Sequence, residues 1–131
     1  MNKISAVIIV LSLFSMFGCQ RDNATVESTT SKNPTAAEIL NADIDADIFQ
    51  LNSIVYETNI DWVNELELTK NVQIGEIKTS FSKKKSVRNF DNGDATILAK
   101  GTKVFNVKER DDVLIVEVNG ETKKYYALTE G

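Results

Sequence analysis

The stretch "VLIVEVNGETKKYYAL", Val113 to Leu128, restricts the fold more than any other part of the chain. Leu114, Val116 and Val118 recur at every second position, the period of a strand with one face in a core. Asn119-Gly120 is the dipeptide of a two-residue type I′ hairpin turn, because both residues must adopt positive φ. Lys123 to Leu128 then returns alongside and brings Tyr125 and Tyr126. Adjacent strand residues face opposite ways, so at most one of these tyrosines enters the core. Upstream, Arg110-Asp111-Asp112 turns the chain, and Lys103 to Lys108 alternates with Phe105 and Val107 on one face. The C-terminal third is therefore expected to be a three-stranded meander with tight turns.

The same reading extends toward the N-terminus. Thr35-Ala36-Ala37-Glu38 matches a capping box, which predicts a short helix to about Asn41. Ile48 to Tyr56 is rich in strand formers and reads as one strand. Ile60, Val63 and Leu66 fall on one side at helical spacing, with Asp61 as cap and Trp62 expected to pack in the core. Val72 to Ile77 reads as a strand with a bulge at Gly75, where the alternation slips. The segment from Phe81 to Phe90 is charged in its middle. "DNGD", Asp91 to Asp94, signals a turn before a short strand at Ala95 to Leu98, and Lys100-Gly101 turns the chain again. Short strands at this spacing predict a mainly β fold: a small SH3-like or related barrel, or twisted antiparallel sheet, with one or two short helices. The alternative is an α+β arrangement in which a single sheet packs against those helices.

The N-terminal region has a different character. Met1 to Lys3 form a short positive start. Ile4 to Phe17 are apolar except for Ser5, Ser12 and Ser15, a run of 14 residues. A spanning helix needs roughly 17–25 apolar residues, so a secretory signal fits this run better than a permanent span. The residues "SMFGC" resemble the lipobox of bacterial lipoproteins. That resemblance implies cleavage between Gly18 and Cys19 and a diacylglycerol on the Cys19 thiol. Met16 and Phe17 depart from the usual leucine and small residue of the motif. Each buried methylene contributes about 0.8 kcal/mol and stable anchoring takes two chains, which a diacylglycerol supplies. Gln20 is not the aspartate that some Gram-negative lipoproteins use for inner-membrane retention. The resemblance implies the outer face of the cell membrane as the destination. "RDNATVESTTSKNP", Arg21 to Pro34, is too polar to offset its ordering entropy and reads as a disordered tether. The expected organisation is a signal peptide at 1–18, a tether at 19–34 and a β-rich domain at 35–131. The region from Gly101 to Gly131 is also similar to the C-terminal end of small uncharacterised lipoproteins of low-GC Gram-positive bacteria, a group that brings no activity with it.

Composition narrows the chemistry. A single cysteine excludes an intramolecular disulfide and a cysteine-based zinc or iron–sulfur site. Histidine is absent, which removes the commonest general base near neutral pH and the commonest metal ligand. A net charge of −4 argues against a general nucleic-acid binder. Asp43, Asp45 and Asp47 alternate like calcium ligands. An EF-hand loop from Asp43 would need glycine at position 48 and glutamate at position 54, and both are isoleucine. The blander expectation is a polar linker with Ile44 and Ile48 turned inward. Lys83, Lys84, Lys85 and Arg88 form the one basic cluster, flanked by Phe81 and Phe90. It is a candidate contact for lipid headgroups or an anionic wall polymer, set against a solvated hairpin tip. Trp62, Tyr125 and Tyr126 are candidates for a binding groove. No glycine-rich phosphate loop and no catalytic constellation stand out, and no cofactor or metal is expected.

These observations converge on a lipid-anchored extracytoplasmic lipoprotein. Its folded part is expected to be a non-enzymatic binding module for a protein, wall polymer or headgroup. The alternatives are an immunity, exclusion or inhibitor lipoprotein and a hydrolase using paired carboxylates.

Overall fold

A computed structural model describes residues 32–81 and 90–130. Within them the chain is mainly β: eight strands in one curled sheet, with two short helices. Helix α1 spans Ala36–Ala42. It begins where the sequence places it, because the capping box is complete: Thr35 Oγ1 accepts from the Glu38 N–H, and Glu38 accepts from the Thr35 N–H. Strands β1 (Ile48–Leu51) and β2 (Ile54–Glu57) form a tight hairpin, where one continuous strand was expected. The break is Asn52-Ser53, both at positive φ (50° and 65°) as a type I′ turn requires, although neither is glycine. Asn92 secures the turn from afar, its Oδ1 accepting the Ser53 N–H at 2.7 Å.

Helix α2 is a single turn, Asp61–Asn64. Ile60, not Asp61, stands at its N-cap, and no side chain caps it there. Its stability comes from packing and from Lys124, whose Nζ donates to the carbonyls of Asn64 and Leu66 at the other end. Strand β3 (Lys70–Glu76) carries register shifts on both sides of Gln73, the second of them at the expected slip near Gly75. The two-residue strands β4 (Thr79–Ser80) and β5 (Asp94–Ala95) pair in parallel, so β5 ends well before the expected Leu98. Strands β6 (Lys103–Val107), β7 (Val113–Val118) and β8 (Glu121–Ala127) are the meander the sequence predicts. Asn119 and Gly120 join β7 to β8 at φ 53° and 80°.

The sheet order is β3-β6-β7-β8-β2-β1-β5-β4. Its two end strands, β3 and β4, are consecutive in the chain and separated only by Ile77 and Lys78. Three Cα steps span about 10 Å, so the sheet has to curl until its ends meet. The handover is visible in the hydrogen bonds. The Ile77 N–H still donates to Thr102 on the β6 side, whereas those of Lys78 and Thr79 donate to Gly93 beside β5. The result is a curled, barrel-like sheet whose two end strands are joined by one bent stretch of chain and share no ladder.

Alternation sorts the side chains into three clusters. The interior holds Phe49, Tyr56, Val104, Leu114, Val116 and Tyr125, with others. Residues one position away point outward and are covered in two places. Ile48 and Val55 pack under Ala36 and Leu40 of α1. Val107, Val113 and Ile115 pack under Val63 of α2 and its flanks Ile60 and Leu66. Burial of both faces explains why β7 reads as a nearly unbroken apolar run. Gly75 faces the interior: a Cβ there would stand 3.1 Å from both Leu51 methyls, so its bare backbone lets β3 approach β1.

Candidate binding surface

The lipidation and cleavage positions, Cys19 and Gly18, lie outside the described residues, as do Lys83, Lys84, Lys85 and Arg88. The roots of the basic segment are described, and they meet. Phe81 and Phe90 pack with ring centroids 5.7 Å apart, and the Phe81 N–H donates to Ala95 at 2.7 Å. Phe81 and Phe90, the described residues on either side of 82–89, therefore meet at one point of the sheet. Phe90 and Asp91 also border an open cleft of about 440 Å³ between the start of α1 and the β1–β2 hairpin, lined further by Thr35, Gln50 and Ser53. Its polar groups already serve the fold: Gln50 Nε2 donates to Asn92, and Thr35 caps α1.

The aromatic candidates separate cleanly. Tyr125 is fully buried inside the barrel, while Tyr126 faces out and is only partly covered. Trp62, expected in the core, is 48% exposed. The reason is the length of α2. A single turn that buries Val63 has to leave its neighbour at the rim. Trp62 is nonetheless held firmly. The rings of Trp62 and Tyr126 meet edge to face with centroids 5.0 Å apart, and the Arg110 guanidinium lies 5.2 Å from the Trp62 centroid. Arg110 is fixed in turn by a bidentate pair with Asp112, Nε to Oδ1 at 2.6 Å and Nη2 to Oδ2 at 2.9 Å. The Arg110 hydrogen bonds hold the Asp112 carboxyl below the usual aspartate range, and the same pairing raises Arg110. Trp62, Tyr126 and Arg110 thus form an ordered, half-exposed corner on the outer face of the meander.

Comparison with known protein families, curated proteins and solved structures finds no match.

The acidic residues near the start of β1 serve a different purpose. Asp47 is buried, and both its oxygens are occupied. Oδ1 accepts from the Tyr125 hydroxyl at 2.8 Å and Oδ2 from Lys123 Nζ at 2.6 Å. Burial, and then the adjacent Asp47 charge, push the Tyr125 hydroxyl far above its ordinary range, so it stays a proton donor. Burial, with Asp43 and Asp47 nearby, also raises the Glu57 carboxyl. Asp43 Oδ1 accepts from the Asp45 N–H, which makes a local turn. Ile48 is buried as expected, but Ile44 is 58% exposed at the tip of that turn, not turned inward. Among the described residues no group of three or more acidic, cysteine or histidine side chains is placed to hold a metal. Also among them, no helix is long and apolar enough to cross a membrane.

Sequence reasoning missed Arg110 as a candidate contact residue, reading it only as part of a turn. The available signal was its position two residues before Asp112, close enough for a fixed fork, in the turn leading into the strand that faces α2.

Proposed function

We propose that this chain is a lipoprotein, tethered through diacylglycerol on Cys19 to the outer face of the cell membrane. Its barrel is a non-enzymatic binding module that recognises a protein through the Trp62–Tyr126–Arg110 corner. The observation that carries the binding surface is Trp62, left half in water yet fixed by a tyrosine edge and a salt-bridged arginine. Tryptophan, tyrosine and arginine are the residue types that dominate interface hot spots, and a pre-ordered side chain loses less entropy on binding. The anchor rests on the N-terminal residues alone: a positive start, a short apolar run, Gly18-Cys19 and a polar continuation.

The test is a pull-down from membranes of the source cell with the lipidated protein, its Cys19→Ser form and its Trp62→Ala form. Partner capture that survives Cys19→Ser in detergent extract but is lost with Trp62→Ala supports the surface. Capture unaffected by Trp62→Ala overturns it. Mass spectrometry of the mature protein tests the anchor separately, since an unmodified Cys19 removes it.

A second contact is favoured by the packing of Phe81 on Phe90, which gathers both roots of the basic segment at one place. Lys83, Lys84, Lys85 and Arg88 would there meet anionic headgroups or a wall polymer, each charge contributing about 1 kcal/mol near an anionic surface. Replacing all four by serine should weaken binding to anionic vesicles or wall preparations. Unchanged binding to both removes this reading.

A further inference from the structure

Strand β3 ends the sheet order, with only β6 beside it among the described residues. Every residue of β3 except Gly75 is exposed, and Val72 and Ile74 are 52% and 39% exposed. An edge that carries apolar side chains is a template for another strand. The sequence of β3, "KNVQIGE", specifies which strand fits. Laid antiparallel on a copy of itself about Gln73, it sets Lys70 opposite Glu76 of the second copy and Val72 opposite Ile74 of the second copy. Gln73 then meets Gln73. Two-fold symmetry repeats each pairing, so both ends carry opposite charges and the middle carries facing apolar pairs.

We propose that β3 is a self-pairing edge that joins two copies of this chain in this register. Lys70 keeps a donor for the task. Its ammonium has three, and one contacts Glu117 at 3.1 Å in an exposed pair while the group lies 4.5 Å from the Phe105 ring centroid. Bulges and edge lysines are devices that discourage strand addition. Here the lysine meets an acid, so it selects the register. The register shifts beside Gln73 keep the ladder short and the dimer weak in dilute solution. Confinement of two molecules to one membrane face would raise their local concentration and favour it.

Disulfide trapping tests the register. The full chain with Cys19→Ser, in detergent micelles, receives Gln73→Cys as its sole thiol. Directly opposed Cα atoms lie about 4.5–5.5 Å apart, within disulfide reach. Asn71→Cys is the control, because its two copies would stand about 13 Å apart in this register. Several-fold greater dimer at position 73 than at position 71 is expected. Lys70→Glu should reduce the trapping several-fold by setting acid against acid at both ends of the ladder, and adding Glu76→Lys should restore it. Equal trapping at both positions, no trapping, or failure of the double exchange to restore it overturns the proposal. Pairing with a foreign strand in place of a second copy would give the second of these outcomes.

Discussion

The Tyr125 hydroxyl donates to Oδ1 of Asp47 at 2.8 Å, joining residues 78 positions apart at one rim of the barrel. The bond ties β8 to the entry of β1 and satisfies a hydroxyl and a carboxylate oxygen in a buried site. Tyr125→Phe should cost about 1–3 kcal/mol, because it strands a buried carboxylate oxygen. Asp47→Ala should cost at least as much, by orphaning both the Tyr125 hydroxyl and the Lys123 ammonium. The double variant should cost less than the sum of the two, since the Tyr125–Asp47 pair is removed from both sides and only Lys123 loses its partner. Urea unfolding of the three variants measures the coupling.

Trp62 is the chain's single tryptophan, so its fluorescence reports the corner directly. The Asp112 carboxyl is depressed by Arg110. Its contribution to stability is therefore present above the ordinary aspartate pKa and is lost as pH falls through the depressed value. Trp62 emission should hold steady through the usual carboxylate range and shift only below it. Asp112→Asn should remove the acid transition, because an amide does not titrate. Arg110→Lys should perturb emission at neutral pH, since lysine cannot make the bidentate pair.

Glu57 presents the opposite sign. Burial and the charges of Asp43 and Asp47 raise its carboxyl. The stabilisation that comes with its protonation is full below the ordinary glutamate pKa and is lost as pH rises through the raised value. Glu57→Gln keeps a neutral side chain at every pH. Its melting temperature should exceed that of the parent at neutral pH, and the advantage should vanish near pH 4. Thermal melts at the two pH values check this.

Gly75 and Leu51 should behave as a coupled pair. Gly75→Val places branched carbon against the Leu51 methyls, already 3.1 Å from a bare Cβ, and should cost about 1–3 kcal/mol. Leu51→Ala in the same chain should recover part of that loss by opening space. Strict additivity in denaturant titrations would contradict the close approach.

The legible parts of this fold are those whose cause is local. The capping box at Thr35 and Glu38, the Asn119-Gly120 turn and the period-two face of β7 depend on near neighbours, and each forms as read. The β1–β2 hairpin escaped because its Asn52-Ser53 turn lacks glycine and is secured by Asn92, 39 residues beyond Ser53. Barrel closure escaped because no local pattern announces that one stretch serves both ends of a sheet. Trp62 misled for a related reason. Helical spacing identified Val63 as buried, but only the shortness of α2 and its docking on β8 decide that the next ring stays outside. Of the candidate corner, Trp62 and Tyr126 were readable as aromatics worth weighing, whereas Arg110 became visible only when the chain brought it over Trp62.

The bend at Ile77 and Lys78 hems both rims of the sheet with the same thread. Neither rim can fray independently, because loosening β4 slackens β3 and the reverse. Lengthening that seam by a few residues should uncouple them, so that the two margins melt on separate schedules.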